Sequence, residues 1–450
     1  MNLAQLIRRP EGKTLEFKRD LSSPEKVLRT VVAFANTSGG TILIGIDDST
    51  GDLRGVLNAR EEEERLANLI SDSVSPQLVP YVELLRYREK TVLGVEVYPS
   101  SNRPHYLGDS AETGSYVRIG STNRRADGEL VAEMRRVSRG EAFDEQPIPE
   151  LDSEAIDMDV FSELFAEFRR VSDLDLDTLG ILTSYQGRRV PTIGGVLLFG
   201  GNRLEHFPDA WIQVGRFGGF DRSHISEQIE LRRPLPLAIE EAYRFIERHI
   251  ASGVDIRGLR GLPRWQIPPL VVREALINAI VHADYSQRGA PFRISIFDDR
   301  LEIENPGLLP FGLTLDDLPL GVSKLRNRVI GRIFHELKLI EQWGSGIVRM
   351  INACQQAGIP NPVWQELGNR FRVTMKKQYE FAPTIDTVDD PICEVLSEND
   401  GLRTSEIADA TSLSARATRI RLKKLVEEGL VVRTGTSPTD PQARYFLAAI

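Results

Sequence analysis

The chain has 450 residues, of which 41% are hydrophobic and 27% charged, and a formal net charge of −9 at pH 7. This length allows two to four domains, and two cysteines are too few for a disulfide framework. The negative charge argues against a protein that coats nucleic acid indiscriminately, although it is compatible with local basic patches. We expect no signal peptide and no membrane span, because no early apolar stretch resembles a signal peptide and no run of about 18 apolar residues occurs. The two cysteines fit a reducing cytosol, so we expect a cytoplasmic location.

The N-terminal module, residues 1–140, is predicted to mix helices and strands. The spacing of its apolar residues predicts a helix that ends near the turn Ser38-Gly39-Gly40, followed by a strand from Thr41 to Ile46. Alternating apolar residues predict further strands at 81–83 and 92–97. These elements indicate an α/β domain.

Basic residues gather in two stretches of this module, around residues 13–29 and 103–125. If both stretches lie on one face, they form a groove suited to phosphates. The alternative is that they are ordinary solvated charges. The candidates for nucleic-acid contact are Lys18, Arg19, Arg118, Arg124 and Arg125.

Three segments of the module resemble the Schlafen AlbA-type domain. They are EGKTLEFKRDL (11–21), VVAFANTSGGTILIGIDD (31–48) and YVRIGSTNRRAD (116–127). The resemblance implies an α/β fold that binds DNA or RNA, with nuclease activity in some animal members.

Those nucleases use three acids, and Glu11 and Glu16, with Asp47 or Asp48, match their placement. One interpretation is therefore a catalytic cluster that holds a divalent cation beside a phosphate. The other is that Glu16 pairs with Lys18 or with a neighbouring arginine. Spacing alone does not distinguish them.

Two acidic, proline-containing stretches, residues 141–154 and 379–391, are predicted to be linkers. They bound a middle module, residues 155–378, and a C-terminal module, residues 390–450. The middle module is predicted to open with an amphipathic helix near Phe161–Val171 and to continue through a buried strand, Gly194–Phe199.

The later half of the middle module carries several motifs. REALINAIVHADY (273–285) places Glu274, Asn278 and His282 on one face of a helix. A predicted hairpin, ISIFDDRLEIENPG (294–307), follows, and then SKLRNRVIGRIF (323–334), EQWGSGI (341–347) and FRVTM (371–375). In this order the motifs resemble the ATPase superfamily of gyrase, heat-shock chaperones, histidine kinases and mismatch-repair proteins. They are still more similar to the divergent ATPase-like domain that commonly follows an AlbA-type domain.

The resemblance implies a Bergerat-type α/β sandwich that binds ATP and Mg²⁺. The helix asparagine of that superfamily, here Asn278, coordinates magnesium, and the preceding glutamate, here Glu274, positions or deprotonates the attacking water. Where an Asp-x-Gly-x-Gly motif would read adenine, this chain has Asn305-Pro306-Gly307, which puts the affinity in doubt. The other candidates for nucleotide contact are His282, Lys324, Arg326, Asn327, Gly344 and Gly346.

A purely structural role is the alternative for these residues. Glu274 would then pair with Arg273 or another arginine, Asn278 would be a satisfied buried amide, and Gly344-Ser345-Gly346 would be a turn. A helicase motor is excluded, because no Gly-x-x-x-x-Gly-Lys-Ser/Thr loop occurs in the sequence.

The C-terminal module is predicted to be a winged helix-turn-helix. A short helix from Thr404 to Ala410, a turn, and a second helix begun by the N-cap Ser414 are followed by strands at 430–433 and 444–447, with a wing tip at 434–441. The second helix would offer its N-terminal part to the major groove. The candidates for DNA contact are Ser414, Arg416, Thr418, Arg419 and Lys423.

The sequence therefore predicts an α/β (α+β) multidomain protein with an AlbA-type domain, an ATPase-like domain and a winged helix. The favoured function is an ATP-binding, DNA-binding transcriptional regulator or switch that acts as a homo-oligomer. A metal-dependent nuclease and a scaffold with a degenerate ATP site are the alternatives.

Overall fold

Helices and strands alternate through most of the chain. The computed structural model describes residues 3–48, 50–257, 260–340, 344–377, 391–397, 399, 401–411, 413–427, 430–434 and 444–447, with the backbone alone at 252–257, 260–264, 424, 427 and 447. Predicted features at 341–343, 379–390, Gly429 and 435–441 lie outside these residues. The chain forms two compact units, Met1–Gln378 and Tyr379–Ile450.

The N-terminal module is built around a four-stranded sheet of order β1-β2-β5-β4, in which β1 and β2 are parallel and the other pairs antiparallel. Helix α2 begins at Pro24, whose fixed φ suits a first helical position, and buries an apolar face against the sheet. The predicted helix and strands are confirmed. In chain order the elements are α1 (Leu3–Leu6), β1 (Leu15–Lys18), α2 (Pro24–Asn36), β2 (Gly40–Ile44), α3 (Ala59–Ser73), β3 (Val74–Ser75), β4 (Tyr81–Tyr87), β5 (Lys90–Val97), β6 (Tyr106–Leu107), α4 (Ala111–Gly114), β7 (Tyr116–Ile119), β8 (Thr122–Arg125) and α5 (Gly128–Ser138).

The middle module contains a six-stranded sheet of order β12-β11-β15-β16-β18-β17, in which only the β11–β15 pair is parallel. One sheet face and the helices α10, α11 and α13 bury a common apolar core. In chain order the elements are α6 (Met158–Phe165), α7 (Asp173–Thr178), β9 (Leu182–Tyr185), β10 (Arg188–Pro191), α8 (Ile193–Phe199), α9 (Arg203–His206), β11 (Ile212–Phe217), β12 (Ile225–Leu231), α10 (Leu235–Ile250), β13 (Ala251–Arg257), β14 (Arg260–Trp265), α11 (Pro269–Val281), β15 (Phe292–Ile296), β16 (Arg300–Pro306), α12 (Arg328–Glu336), α13 (Gly346–Gln356), β17 (Val363–Leu367) and β18 (Arg370–Lys376).

One predicted strand is wrong: Gly194–Phe199 lies in helix α8. All seven residues of α8 are buried, and Thr192 caps it by accepting a hydrogen bond at Oγ1 from Gly195 N at 3.0 Å. A short apolar run has no polar residue to reveal its period, so the sequence does not distinguish a buried helix from a buried strand.

The predicted linker at 141–154 is packed against the middle module. The buried carboxylate of Asp144 accepts hydrogen bonds from Arg328 N and Ile330 N, both at 2.9 Å, at the start of α12. Because the first N–H groups of a helix have no partner within it, this carboxylate caps α12.

The C-terminal unit is the predicted helix-turn-helix with two of its strands. Ser414 Oγ accepts from Ala417 N at 3.2 Å, which confirms it as the N-cap of α16. The elements are α14 (Pro391–Ser397), β19 (Leu402–Arg403), α15 (Thr404–Thr411), α16 (Ala415–Glu427), β20 (Val431–Thr434) and β21 (Arg444–Leu447), with sheet order β19-β21-β20. No helix in the described parts of either unit is long and apolar enough to cross a membrane.

Candidate functional site

A cavity of about 670 Å³ lies between the six-stranded sheet and the helices α11, α12 and α13. The segment 308–325, which joins β16 to α12, supplies part of its wall. The cavity brings together seven of the residues predicted to bind or process a nucleotide: Glu274, Asn278, His282, Asn305, Lys324, Gly344 and Gly346. Its size is in the range of ordinary small-molecule sites.

The Glu274 carboxylate is fixed at one wall of this cavity. It is 4% exposed, and its Oε1 accepts from Arg349 Nη2 at 2.8 Å and Arg273 Nη1 at 3.1 Å. A Cβ on Gly346 would lie 2.5 Å from Glu274 Oε2 and 3.9 Å from Asn278 Nδ2. The absence of a side chain at Gly346 therefore lets α13 approach the glutamate and the asparagine of α11 closely.

His282 and Asn305 present polar groups to the same cavity. Burial lowers the pKa of His282 to about 4, so its imidazole is neutral at pH 7. Asn305 extends from β16, and its Nδ2 donates to Pro306 O at 3.0 Å.

Lys324 lines the cavity from the segment 308–325, and its Nζ donates to Phe311 O at 3.1 Å. Burial and, after it, the nearby Arg103 guanidinium lower the pKa of Lys324. Apolar side chains form most of the remaining wall, including Trp364, Phe371 and Val373. The cavity thus joins an apolar wall to a set of charged and amide groups.

Three of the predicted nucleotide contacts, Gly307, Arg326 and Asn327, are not among the residues that line this cavity. Arg326 donates to His282 O at 3.0 Å and Leu308 O at 2.9 Å. Gly307, with φ +98°, has no side chain that would clash with the Arg326 guanidinium. Asn327 Nδ2 donates to the carbonyls of Val281 and Ala283 at 2.9 and 2.8 Å. These residues hold the C-terminal end of α11 in place behind the cavity wall.

The N-terminal acids are engaged in contacts within the protein. Glu16 forms ion pairs with Lys18 and, at 2.5 Å, with Arg118, and Glu11 Oε1 accepts from Phe17 N at 2.6 Å. The ion-pair interpretation of Glu16 therefore describes the structure.

The acidic loop after β2 contributes the remaining two candidates. Asp47 lies 3.5 Å from Arg54, and Asp48 is exposed. Among the residues that the structure describes, no three His, Cys, Asp or Glu side chains are placed to hold a metal ion together.

The basic candidates of the N-terminal module divide by exposure. Arg19, Arg124 and Arg125 are exposed, whereas Lys18 is largely buried beside Glu16. Arg118 is 1% exposed and donates to Gly12 O, Asn123 Oδ1 and Glu16. The expectation that Arg118 meets phosphates is corrected accordingly, because its donors are used inside the domain.

In the C-terminal unit, Ser414, Arg416, Arg419 and Lys423 are exposed along α16. Thr418 is fully buried, and its Oγ1 donates to Ser414 O at 3.1 Å. The expectation of a base contact for Thr418 is therefore corrected to a packing role. The other four side chains are accessible to a partner.

Sequence reasoning missed Arg349, the closer ion-pair partner of Glu274, and the cap Asp144. Arg349 follows Gly346 by three residues, so it lies one helical turn along α13. That spacing was the available signal. No comparable signal pointed to Asp144, because its contact with α12 joins residues that are distant in sequence.

Three family models match the chain. They are described as "Schlafen, AlbA_2" (residues 11–127), "Putative ATP-dependent DNA helicase recG C-terminal" (289–375) and "Winged helix-turn-helix DNA-binding" (392–432). Their order is the one that the sequence predicted. Glu274 and Asn278 precede the second matched segment.

Two of the solved structures that are similar to the chain can be compared with it. The crystal structure of the DIP2311 protein from Corynebacterium diphtheriae is 19% identical, with a TM-score of 0.44, over 97% of this chain and 92% of that one. The solution structure of the N-terminal domain of a RecG-related protein from Nitrosomonas europaea, described as a putative ATP-dependent DNA helicase, is 29% identical, with a TM-score of 0.23. That alignment covers 28% of this chain and 90% of the Nitrosomonas chain.

Proposed function

The chain carries a Schlafen AlbA_2 domain, a RecG C-terminal-type ATPase-like domain and a winged helix-turn-helix, and we propose that it is an ATP-binding, DNA-binding switch. The observation that carries the proposal is the cavity of about 670 Å³ in which Glu274, Asn278, His282, Asn305, Lys324, Gly344 and Gly346 meet. Binding of ATP in this cavity would regulate how the protein acts on DNA.

The residues of the cavity fit a nucleotide. Aromatic and aliphatic side chains such as Trp364 and Phe371 offer an apolar surface for a base. Gly344 and Gly346 line the cavity, and the absence of a side chain at each lets the start of α13 lie close to Ser323 and Glu274. Lys324 supplies a cation, and its position in a desolvated, electropositive setting favours an anionic ligand.

ATP with Mg²⁺, when bound, would supply the phosphoryl group for a hydrolysis reaction. Asn278 is the residue that would hold the metal through its side-chain oxygen, and Glu274 the one that would orient water. Oε1 of Glu274 is engaged by two guanidinium groups, from Arg273 and Arg349, which compete with water for that oxygen. We therefore propose that turnover is slow and that nucleotide binding itself is the signal.

The DNA contact is proposed for the exposed start of α16. Its N-cap Ser414, Arg416 and Arg419 present hydroxyl and guanidinium donors suited to phosphates and to base edges in the major groove. We further propose that the protein acts as a cytoplasmic homodimer in transcription, because winged helix-turn-helix proteins commonly read paired half-sites. The exposed Arg19, Arg124 and Arg125 would add a second contact with DNA or RNA.

Isothermal titration of the full chain with ATP·Mg²⁺ tests the nucleotide site. We expect saturable binding that is lost in Lys324→Ala with Asn278→Ala, and retained in a control, Lys90→Ala, whose Nζ donates to Leu53 O at an exposed position of the N-terminal module. A chain that is folded by circular dichroism yet does not bind ATP would contradict the proposed switch and favour the scaffold with a degenerate ATP site.

A footprinting experiment tests the DNA contact. Removal of residues 390–450 should abolish sequence-specific protection. Specific protection that persists in the truncated chain would contradict the role assigned to α16.

A further inference from the structure

The segment 308–325 of the middle module packs against a hydrophobic cluster of the N-terminal module. Phe311, in the segment 308–325, is 8% exposed and belongs to one hydrophobic cluster with side chains of the AlbA_2 domain. The other buried members of that cluster are Ala111, Val117, Ala126, Val131 and Met134. The Arg103 guanidinium lies 5.2 Å from the centre of the Phe311 ring, a cation–π distance.

Hydrogen bonds to its backbone N–H and C=O groups hold the segment on both sides of Phe311. Gly312 N donates to Thr37 O at 2.9 Å, and Ser38 Oγ donates to Leu313 O at 2.7 Å. Leu309 N donates at 3.0 Å to Glu366, whose carboxylate also accepts from Lys13 at 2.7 and 2.8 Å. The sequence-predicted turn Ser38-Gly39-Gly40 is thus a contact point between two domains as well as a turn.

The same segment is a wall of the nucleotide cavity. Leu308, Leu309, Leu313, Leu318, Val322 and Lys324 all line that cavity. Lys324, the cation proposed to meet the phosphates, donates to the carbonyl of Phe311 itself. One stretch of chain therefore contacts the nucleotide cavity and the AlbA_2 core through residues that touch one another.

On the AlbA_2 side, the Phe311 cluster contains the strand that carries basic residues. Val117 on β7 pairs with Arg124 on β8, and Ala126 directly follows Arg125. Arg124 and Arg125 are exposed. A displacement of Phe311 would alter the packing beneath these two arginines.

We propose that the segment 308–325, with Phe311 as its anchor and Lys324 as its nucleotide contact, couples occupancy of the ATP cavity to nucleic-acid binding by the AlbA_2 domain. This proposal rests on the proposed function, because it requires that the cavity binds ATP. The Lys324 ammonium has three N–H donors and the Phe311 carbonyl accepts one of them, so an anionic ligand in the cavity that binds the ammonium pulls it, and the Phe311 carbonyl with it, towards the ligand. This movement of the segment then changes its packing against the cluster that contains Val117 of β7 and Ala126, next to β8.

Such coupling has to be reciprocal for binding free energies. If ATP changes the affinity for nucleic acid by some factor, nucleic acid changes the affinity for ATP by the same factor. Typical coupling corresponds to about five- to 150-fold. Packed contacts such as the Phe311 cluster transmit a shift because a close-packed core does not absorb it gradually.

The test uses the full chain with Arg416→Gln and Arg419→Gln in every arm, so that α16 contributes little to binding. Fluorescence anisotropy with a mixed-sequence DNA duplex, with and without saturating ATP·Mg²⁺, gives the ratio of the two dissociation constants. We expect a ratio of about five or more, in either direction. In Ser38→Ala and in Phe311→Leu the ratio should approach one, whereas Ser71→Ala, an exposed position on α3, should keep the ratio of the parent chain.

The outcomes separate this proposal from the one on which it rests. If titration shows no ATP binding, both fail. If ATP binds but the ratio is one in the parent chain, or if the duplex does not bind, the coupling is overturned and the nucleotide site stands. A ratio that is unchanged in both Ser38→Ala and Phe311→Leu also overturns it. Ser38→Ala decides alone if Phe311→Leu fails to fold, because it removes only one partly buried hydrogen bond.

Discussion

The close approach of α13 to α11 at Gly346 gives the sharpest test of the nucleotide site. In Gly346→Ala, the new Cβ would lie 2.5 Å from Glu274 Oε2. An ordinary van der Waals contact is roughly 1 Å longer, so the carboxylate or the helix has to move. Because Glu274 is buried and bound to Arg349 at 2.8 Å, such a movement distorts this ion pair.

The expected cost follows from two opposing effects. Alanine favours a helix over glycine by up to about 1 kcal/mol, whereas overpacking of a filled site costs about 1–3 kcal/mol. At Gly346 the second effect should dominate, and the free energy of unfolding should fall. ATP affinity should fall by at least about fivefold, equivalent to 1 kcal/mol, because Glu274 and Asn278 both lie against this position.

Gly128→Ala is the matched control. Gly128 is also the first residue of a helix, α5, and no heavy atom lies within 4 Å of the Cβ that an alanine would add. Urea denaturation and isothermal titration with ATP·Mg²⁺ should show Gly128→Ala equal to or more stable than the unchanged chain, with the same ATP affinity. If Gly346→Ala behaves like Gly128→Ala in both measurements, the packing argument is refuted.

Three further predictions concern pH, a buried ion pair and DNA. Burial lowers the pKa of His282 from 6.5 to about 4. Between these two pH values the unfolded chain binds more protons than the folded chain. The free energy of unfolding should therefore fall by up to about 3 kcal/mol as the pH drops from 6.5 to about 4. In urea titrations, His282→Gln should flatten that part of the pH dependence, and an equally steep slope would contradict the assignment. Glu16→Ala removes the carboxylate beside the buried Arg118 and should lower the free energy of unfolding by about 3 kcal/mol or more. Glu25→Ala removes an exposed partner of Arg29 and should lower it by under about 1 kcal/mol. Equal urea midpoints for the two variants would argue against the buried pair. Arg416→Gln with Arg419→Gln should weaken DNA binding and reduce the slope of log K against log salt concentration by about 0.9 for each phosphate that the variant no longer neutralises. Arg60→Gln, at an exposed position on α3, should leave that slope unchanged. An unchanged slope in the α16 variant would show that these arginines lie outside the interface.

The part of the site that the sequence predicted lies on regular elements. Glu274, Asn278 and His282 recur every four residues, and the helical period alone placed them on one cavity wall. Ser414 was predicted as a helix cap because local hydrogen bonding decides capping, and its contact with Ala417 is found.

The remainder depended on contacts between residues that are distant in sequence. Arg326 and Asn327 have residue types suited to nucleotide contact, yet Arg326 reaches the carbonyls of His282 and Leu308 instead. Arg118 belongs to a basic stretch, but the fold turns it towards the Gly12 carbonyl and Glu16. Charge in a sequence predicts attraction to phosphate only where the side chain is exposed, and burial is a property of the whole fold.

The N-terminal module and the stretch that follows it are not physically independent of the middle module. Glu133 of α5 pairs with Arg326 at 3.1 Å, Lys13 pairs with Glu366, and Asp144 caps α12. Each of these contacts joins a charge from the first 145 residues of the chain to the ATPase-like domain, and each is buried or partly buried, where the loss of one partner is costly. The cavity proposed to bind a nucleotide and the AlbA_2 domain therefore have a physical basis for acting as one unit.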